Sequence, residues 1–185
     1  MYSYTYDEET GGILLNSTPT IFSKEPRPVY APELDLLGFD KYWKYDNQSD
    51  IPYMWAESVQ YWYRGKQVAK LKGGNLYEAP EIIISKDMEG NLVQPEPDGG
   101  ALRPVDIDRM VKKNLDMIDI IENTTIKKIV NVYEKYKNKL DIFHVAFSGG
   151  KDSAVLLDLV KRALPKGSFV VVFGDTGMEF PDTYA

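Results

Sequence analysis

The stretch DIFHVAFSGGKDSAVLLDLVKRALPKGSFVVVF, residues 141–173, constrains the chain more than any other. Residues 141–147 form a short apolar run, and Ser153–Leu164 carries Val155, Leu156, Leu157, Leu159 and Val160 at helical spacing. Gly167 closes the connection, and residues 168–173, SFVVVF, form a second apolar run. Strand, loop, helix, strand is one βαβ unit. Its strands read as apolar on both faces, as in a parallel sheet covered by helices. The fold class is therefore α/β over this stretch.

A polar loop, Ser148-Gly149-Gly150-Lys151-Asp152-Ser153, separates the first strand from its helix. Loops at the carboxyl ends of parallel strands open into a crevice, where helix N-termini present unpaired N–H groups. Such an end favours an anion through hydrogen bonding and the helix dipole. Gly149 and Gly150 let the main chain approach a phosphate closely. Ser148 and Ser153 add hydroxyls, and Lys151 adds a full positive charge. Two common glycine loops do not fit. A Walker A loop needs Gly-x-x-x-x-Gly-Lys-Ser/Thr, but Asp152 follows Lys151 and Val145 stands where the first glycine belongs. The dinucleotide pattern Gly-x-Gly-x-x-Gly fails because Lys151, Asp152 and Ser153 follow the glycine pair. Asp152 would repel a phosphate unless it caps the helix, accepting from the Ala154 or Val155 N–H, or reaches a magnesium ion; capping is the favoured reading.

Residues 148–153, SGGKDS, match the Ser-Gly-Gly-x-Asp-Ser pyrophosphate loop (PP-loop) of the ATP-pyrophosphatase superfamily at every position. Residues 173–184, FGDTGMEFPDTY, closely resemble the Asp-Thr-Gly-x-x-Phe-Pro-Glu-Thr segment of the phosphoadenosine phosphosulfate (PAPS) reductase family, with Asp182 in place of the glutamate. The two motifs stand in the family's order, and the resemblance covers about residues 105–185. It implies the beginning of a parallel-sheet, Rossmann-like PP-loop domain. It also implies an adenine nucleotide in the crevice: PAPS, adenosine phosphosulfate (APS) or ATP, with magnesium as an accompanying ion. Ser148, Gly149, Gly150, Lys151, Asp152 and Ser153 would surround its phosphate or sulfate end, and Asp175, Thr176 and Gly177 would border it at the next strand end. The implied partners are this small-molecule nucleotide and either a thioredoxin-like reductant or a sulfur-acceptor protein. A PAPS reductase reduces its substrate with a cysteine near its carboxyl end, and this chain contains none. The stretch from Asp141 to Ala185 is also shorter than the roughly 100–150 residues or more that such a domain needs to enclose a core. The expectation is a longer protein seen in part, with the reductive cysteine outside this chain. ATP-pyrophosphatase-type adenylation in sulfur transfer, with a nucleic acid among the acceptors, is the alternative; a non-catalytic nucleotide-sensing or assembly module is a third reading.

The rest of the chain reads differently. Residues 1–100 are expected to be a β-rich, tyrosine-rich amino-terminal module, residues 101–140 a linker and helices, and residues 141–185 the start of the α/β domain. Within 1–50, four prolines in TPTIFSKEPRPVYAPELDLLGF suggest irregular chain with a helical turn near Pro32–Leu37. ESVQYWYRGKQVAKL has β-formers on both sides of Arg64-Gly65, a hairpin signal. A break follows at Lys72–Asn75, then a strand in PEIIIS, a hairpin around Glu89-Gly90-Asn91, and a Pro- and Gly-rich stretch over 94–104. From Val105 the period becomes helical, capped by Asp106 or Asp108. ENTT softens it near 122–125 before a second helical stretch to about Lys139.

Net charge is −6, which argues against general adhesion to nucleic acid or anionic membrane but not against a local anion site. The absence of cysteine removes disulfides, thiolate metal sites and thiol catalysis within these residues, and fits a cytoplasmic location. No run approaches the about 18 apolar residues of a membrane helix. His144, the single histidine, lies inside a strand and reads as a packed core residue, not a metal ligand. The aromatics of YMWAESVQYWYRGK could stack bases, but on a small sheet they read first as core. The lysines of KKIVNVYEKYKNK read as a solvated helix face. Glu179 and Asp182 have the chemistry of acid–base groups, with nothing in sequence to bring them to a substrate. No catalytic residue is assigned.

Overall fold

The computed structural model describes residues 2–19, 25–75, 77–175 and 177. The chain divides into two compact units, Met1–Met117 and Ile118–Ala185.

The first unit opens with strands β1 (Tyr2–Tyr6) and β2 (Ile13–Pro19), paired as an antiparallel hairpin. The proline-guided reading missed this hairpin. Its signal was the alternation of Tyr2, Tyr4 and Tyr6 with Ser3 and Thr5, the period of a strand with two different faces. Five more strands follow: β3 (Arg27–Val29), β4 (Met54–Glu57), β5 (Gln60–Tyr63), β6 (Lys66–Lys72) and β7 (Glu81–Ile84). They form one antiparallel sheet in sequence order. Arg64 and Gly65 sit at φ of +44° and +83°, the backbone that a two-residue hairpin between β5 and β6 requires. Helix α1 (Ala31–Leu37) begins with a proline in its first turn and ends at Gly38. The expected second hairpin near Gly90 contracts to a single bridge, Lys86 to Leu92.

The core of this unit joins Val29, Leu34, Phe39, Tyr53, Met54, Tyr61, Tyr63 and Val68. Trp55 is also buried, so most of the aromatic cluster is consumed in packing. Buried phenols need partners, and several tyrosines donate to carboxylates: Tyr61 to Glu33 at 2.7 Å, Tyr63 to Glu96, and Tyr4 and Tyr6 to Glu57 at 2.6 and 2.7 Å. Arg64, itself buried, donates to the Glu8 and Glu9 carbonyls at 2.6 and 2.8 Å. In the 94–104 stretch, Glu96 and Leu102 are buried.

Helix α2 (Ile107–Tyr136) is one 30-residue helix rather than two. Asp106 caps it, accepting from the Arg109 N–H at 3.0 Å. The expected soft interruption is absorbed because Asn123 and Thr125 donate back to the carbonyls of Asp119 and Ile121, at 2.8 Å each. Asn114 accepts from the Leu15 N–H at 2.7 Å and donates to the Ile13 carbonyl at 2.8 Å. A side-chain amide thus pairs with the edge of β2 as a neighbouring strand would.

In the second unit, β8 (His144–Phe147) and β9 (Val170–Phe173) pair in parallel, joined through α3 (Lys151–Ala163). The sequence reading of a βαβ unit matches this topology, with shorter strands. The burial pattern departs from it. Val145 is buried, but Val170, Val171 and Val172 are 43%, 46% and 50% exposed. Among the described residues, no helix is long and apolar enough to cross a membrane.

Candidate anion-binding loop

The register of β8 and β9 decides where the candidate residues lie. Phe147 is paired with Phe173, so the segments that follow both strands leave the same end of the sheet. Ser148–Ser153, and Asp175 and Gly177, are thereby brought to neighbouring strand ends. The rings of Phe147 and Phe173, 6.4 Å apart, pack together at the last paired position before them. Thr176 lies outside the described residues, as do Glu179 and Asp182.

The first loop turns sharply at Gly149, at φ +73°. This left-handed backbone costs a side-chain-bearing residue strain. Gly150 is different: its φ is −80°, and it occupies the N-cap of α3. The Ala154 N–H closes the first helical bond to the Gly150 carbonyl at 3.1 Å. The N–H groups of Lys151, Asp152 and Ser153 are therefore first-turn donors without an intrahelical partner.

The side chains complete the loop. Ser153 Oγ donates to the Gly150 carbonyl at 2.9 Å and accepts from the Ser148 N–H at 3.2 Å, with Ser148 Oγ also 3.2 Å away. Lys151 Nζ donates to Asp152 Oδ1 at 3.1 Å, and the two side chains are 87% and 91% exposed. The expected capping bond from Asp152 is not formed, because Gly150 takes the cap position and has no side-chain bond there. Asp152 instead sits within the first turn, where its charge favours the helix dipole. At the second strand end, Asp175 Oδ1 accepts from the Gly177 N–H at 2.8 Å, a local turn bond.

His144 is exposed, contrary to the expected core placement. It stands at the amino end of β8, where strand alternation gives inward burial to Val145. There it borders an apolar cavity of about 270 Å³ with Lys128, Val132, Tyr133 and Phe143. This cavity is at the end of the strand remote from the glycine loop, and its lining is mostly apolar. The lysines at 127, 128, 135, 137 and 139 are exposed, as their helical spacing suggests. Among the described residues, no group of three or more His, Cys, Asp or Glu side chains is placed to hold a metal ion.

The family model described as the phosphoadenosine phosphosulfate reductase domain matches residues 142–185. The chain is 50% identical over 76 residues to uncharacterized protein MJ0066 of Methanocaldococcus jannaschii, which covers 41% of this chain and 15% of that protein. It is 39% identical over 82 residues to uncharacterized protein MJ0973 of the same organism, covering 44% of this chain and 20% of that protein. The matched region thus spans a fifth or less of either relative's length. No solved structure matches the chain. The family match lies across the loop, its helix and both parallel strands, so residues 142–185 are similar to the phosphoadenosine phosphosulfate reductase domain.

Proposed function

We propose that this chain is the part of an adenine-nucleotide enzyme that holds the charged end of a sulfonucleotide, PAPS or APS. The observation that carries the reading is the SGGKDS loop at the carboxyl end of β8, inside the family-matched segment. Unpaired first-turn N–H groups and the dipole of α3 favour an anion there. Gly149 permits the tight turn, and Lys151 supplies the mobile charge. Residues 175–177 border the nucleotide from the neighbouring strand end. In this reading 141–185 begins a Rossmann-like nucleotide domain. The reducing cysteine and a thioredoxin-like reductant come from outside these 185 residues, which contain no cysteine.

The fixed donors would stabilise charge that develops on the transferred group. The same cradle serves a second reaction class, cleavage of ATP to AMP and pyrophosphate to activate a sulfur acceptor. The complete match of residues 148–153 to the ATP-pyrophosphatase loop favours keeping that reading. Calorimetric titration of PAPS, APS and ATP, each with and without magnesium, into the chain and its Lys151→Ala variant tests both. Tightest binding of a sulfonucleotide, weakened about tenfold or more in the variant, supports the first. Preference for ATP with magnesium supports the second. Absence of binding by the unaltered chain removes both and leaves an assembly module.

A further inference from the structure

We propose that Met110 is an oxidation site whose modification loosens the β1–β2 hairpin from α2. Met110 and the hairpin lie in the same compact unit, and the glycine loop lies in the other. The Ile13 N–H donates to Met110 Sδ at 3.4 Å. Thioether sulfur is a weak acceptor, so in the reduced chain this bond adds little to the hold of Asn114, one turn further along α2. What sets this sulfur apart is its confinement. A Cβ added to Gly12 would overlap Met110 Sδ and stand 2.6 Å from its Cγ. The hairpin main chain therefore lies directly against the thioether, and only glycine at position 12 allows the approach.

A hydroperoxide converts a thioether to a sulfoxide. The peroxide O–O bond breaks, an S–O bond forms, the sulfur loses two electrons, and hydrogen peroxide leaves as water. The contact with Ile13 fails whichever sulfur lone pair reacts. If the pair facing Ile13 is taken, an oxygen must enter a gap of 3.4 Å that is already filled by the N–H. If the other pair is taken, the S–O bond draws electrons from the sulfur, and the positive end of the N–H then faces a positive atom. Gly12 leaves the side chain no room to turn away on its side. Displacement of this turn reaches the five-stranded sheet, because the buried Trp55 indole N–H donates to the Gly11 carbonyl at 2.9 Å. The methionines also differ in access. Met88 is fully exposed, Met54 is fully enclosed, and Met110 is half-buried, within reach of a small oxidant.

The test treats the full chain with graded hydrogen peroxide. Peptide mass spectrometry reads oxidation at each methionine, and NMR reads exchange of the Ile13 amide and the Trp55 indole N–H. Met88 should react first and leave both exchange rates unchanged. Met110 should react next, before Met54, and exchange at Ile13 should then quicken about tenfold, the effect of losing one modest hydrogen bond. Exchange at the Trp55 indole should quicken with it. Methionine sulfoxide reductase and a dithiol should restore slow exchange, the dithiol becoming a disulfide as the oxygen leaves in water. Met110→Leu keeps a long apolar side chain without sulfur, and its Ile13 exchange should not respond to peroxide. Met88→Leu and Met117→Leu should respond as the unaltered chain does. Full oxidation of Met110 with unchanged Ile13 exchange would overturn the proposal. So would a response that persists in Met110→Leu, or resistance of Met110 to peroxide until Met54 reacts. Should Met110→Leu not fold, the match between Met110 oxidation and Ile13 exchange in the unaltered chain, and its reversal by the reductase, carries the decision.

Discussion

The two units of this chain divide their labour unequally. Met1–Met117 holds nearly all the fully enclosed apolar side chains, with Tyr53, Tyr61, Tyr63, Phe39, Leu34 and Met54 below 2% exposure. In Ile118–Ala185 only Val145, Leu159 and Val160 reach burial among the described apolar residues. Yet the second unit carries every residue proposed for the nucleotide site. The contrast separates two kinds of information. A core is written in volume and shape, which many sequences satisfy. An anion loop is written in a few residue types whose backbone and charge have few substitutes.

The largest break of this contrast is in the first core. Phe39→Ala removes a ring stacked on Trp43 at 5.4 Å and tilted against Tyr61 at 5.3 Å. It should cost about 3–5 kcal/mol in denaturant unfolding. Val171→Ala, on the exposed face of β9, should change stability by less than about 0.5 kcal/mol. Comparable losses at the two positions would erase the distinction.

Next comes the buried acid Glu96. It accepts from Tyr63 and from Arg103 at 2.9 Å, and lies 3.9 Å from Arg64. Burial alone would raise its carboxyl, but the Tyr63 and Arg103 hydrogen bonds, with the charges of Arg103 and Arg64, hold it below the usual range. Burial likewise opposes ionisation of Glu33, and the bonds from Arg27 and Tyr61 outweigh it. A depressed native carboxyl contributes stability that is present above its unfolded pKa, about 4.3, and is lost as pH falls through the lower native value. The unfolding midpoint of the first unit should therefore drop as pH is lowered below about 4.3. Glu96→Gln should lower stability at pH 7 by about 1–3 kcal/mol and flatten that acid slope. An unchanged slope would show that Glu96 does not contribute to it.

How much of this was visible beforehand depends on what each signal encodes. The βαβ unit was legible because residues 141–173 switch period twice around a glycine pair. The β5–β6 hairpin was legible because Arg64-Gly65 stands between β-formers. The β1–β2 hairpin was missed because the nearby prolines outweighed the tyrosine alternation over residues 2–6, while its edge contact with Asn114, about a hundred residues away, has no local signal. The long α2 was hidden because Asn123 and Thr125 look like breakers until their side chains are seen bonding back to the helix. Within the loop, the glycines, lysine and serines were legible as residue types. The direction of their hydrogen bonds was not, so the Ser148–Ser153 contacts and the Lys151–Asp152 pair emerge only from geometry.

The glycine pair sharpens the contrast at smaller cost. Gly149→Ala must place a Cβ at φ +73°, a strain of roughly 1–2 kcal/mol. Gly150→Ala meets only Ser148 Oγ at 3.6 Å, ordinary contact, and keeps an allowed φ. Thermal unfolding should thus register Gly149→Ala and scarcely register Gly150→Ala. Nucleotide titration should register both, because the added methyl at Gly150 occupies the approach to the first-turn donors. Unaltered affinity in Gly150→Ala would place the ligand elsewhere.

The smallest expected effect concerns charges that look stabilising on paper. Lys113 Nζ lies 2.7 Å from Asp7 and 2.6 Å from Glu9, and Arg109 also pairs with Glu9. Glu9 and the Arg109 side chain are more than half exposed, so solvent and salt screen most of the attraction. The hairpin's hold on the start of α2 then comes mainly from Asn114, whose amide satisfies main-chain groups of β2 that would otherwise be unpaired. Lys113→Ala should lower the unfolding midpoint slightly at low ionic strength and not at all near 1 M salt, where the Debye length is about 3 Å. Asn114→Leu keeps the side chain's bulk but not its amide, and should destabilise at every salt concentration. A Lys113 effect that persists in high salt and exceeds that of Asn114→Leu would show that charge, not the strand-like amide pairing, fastens the hairpin.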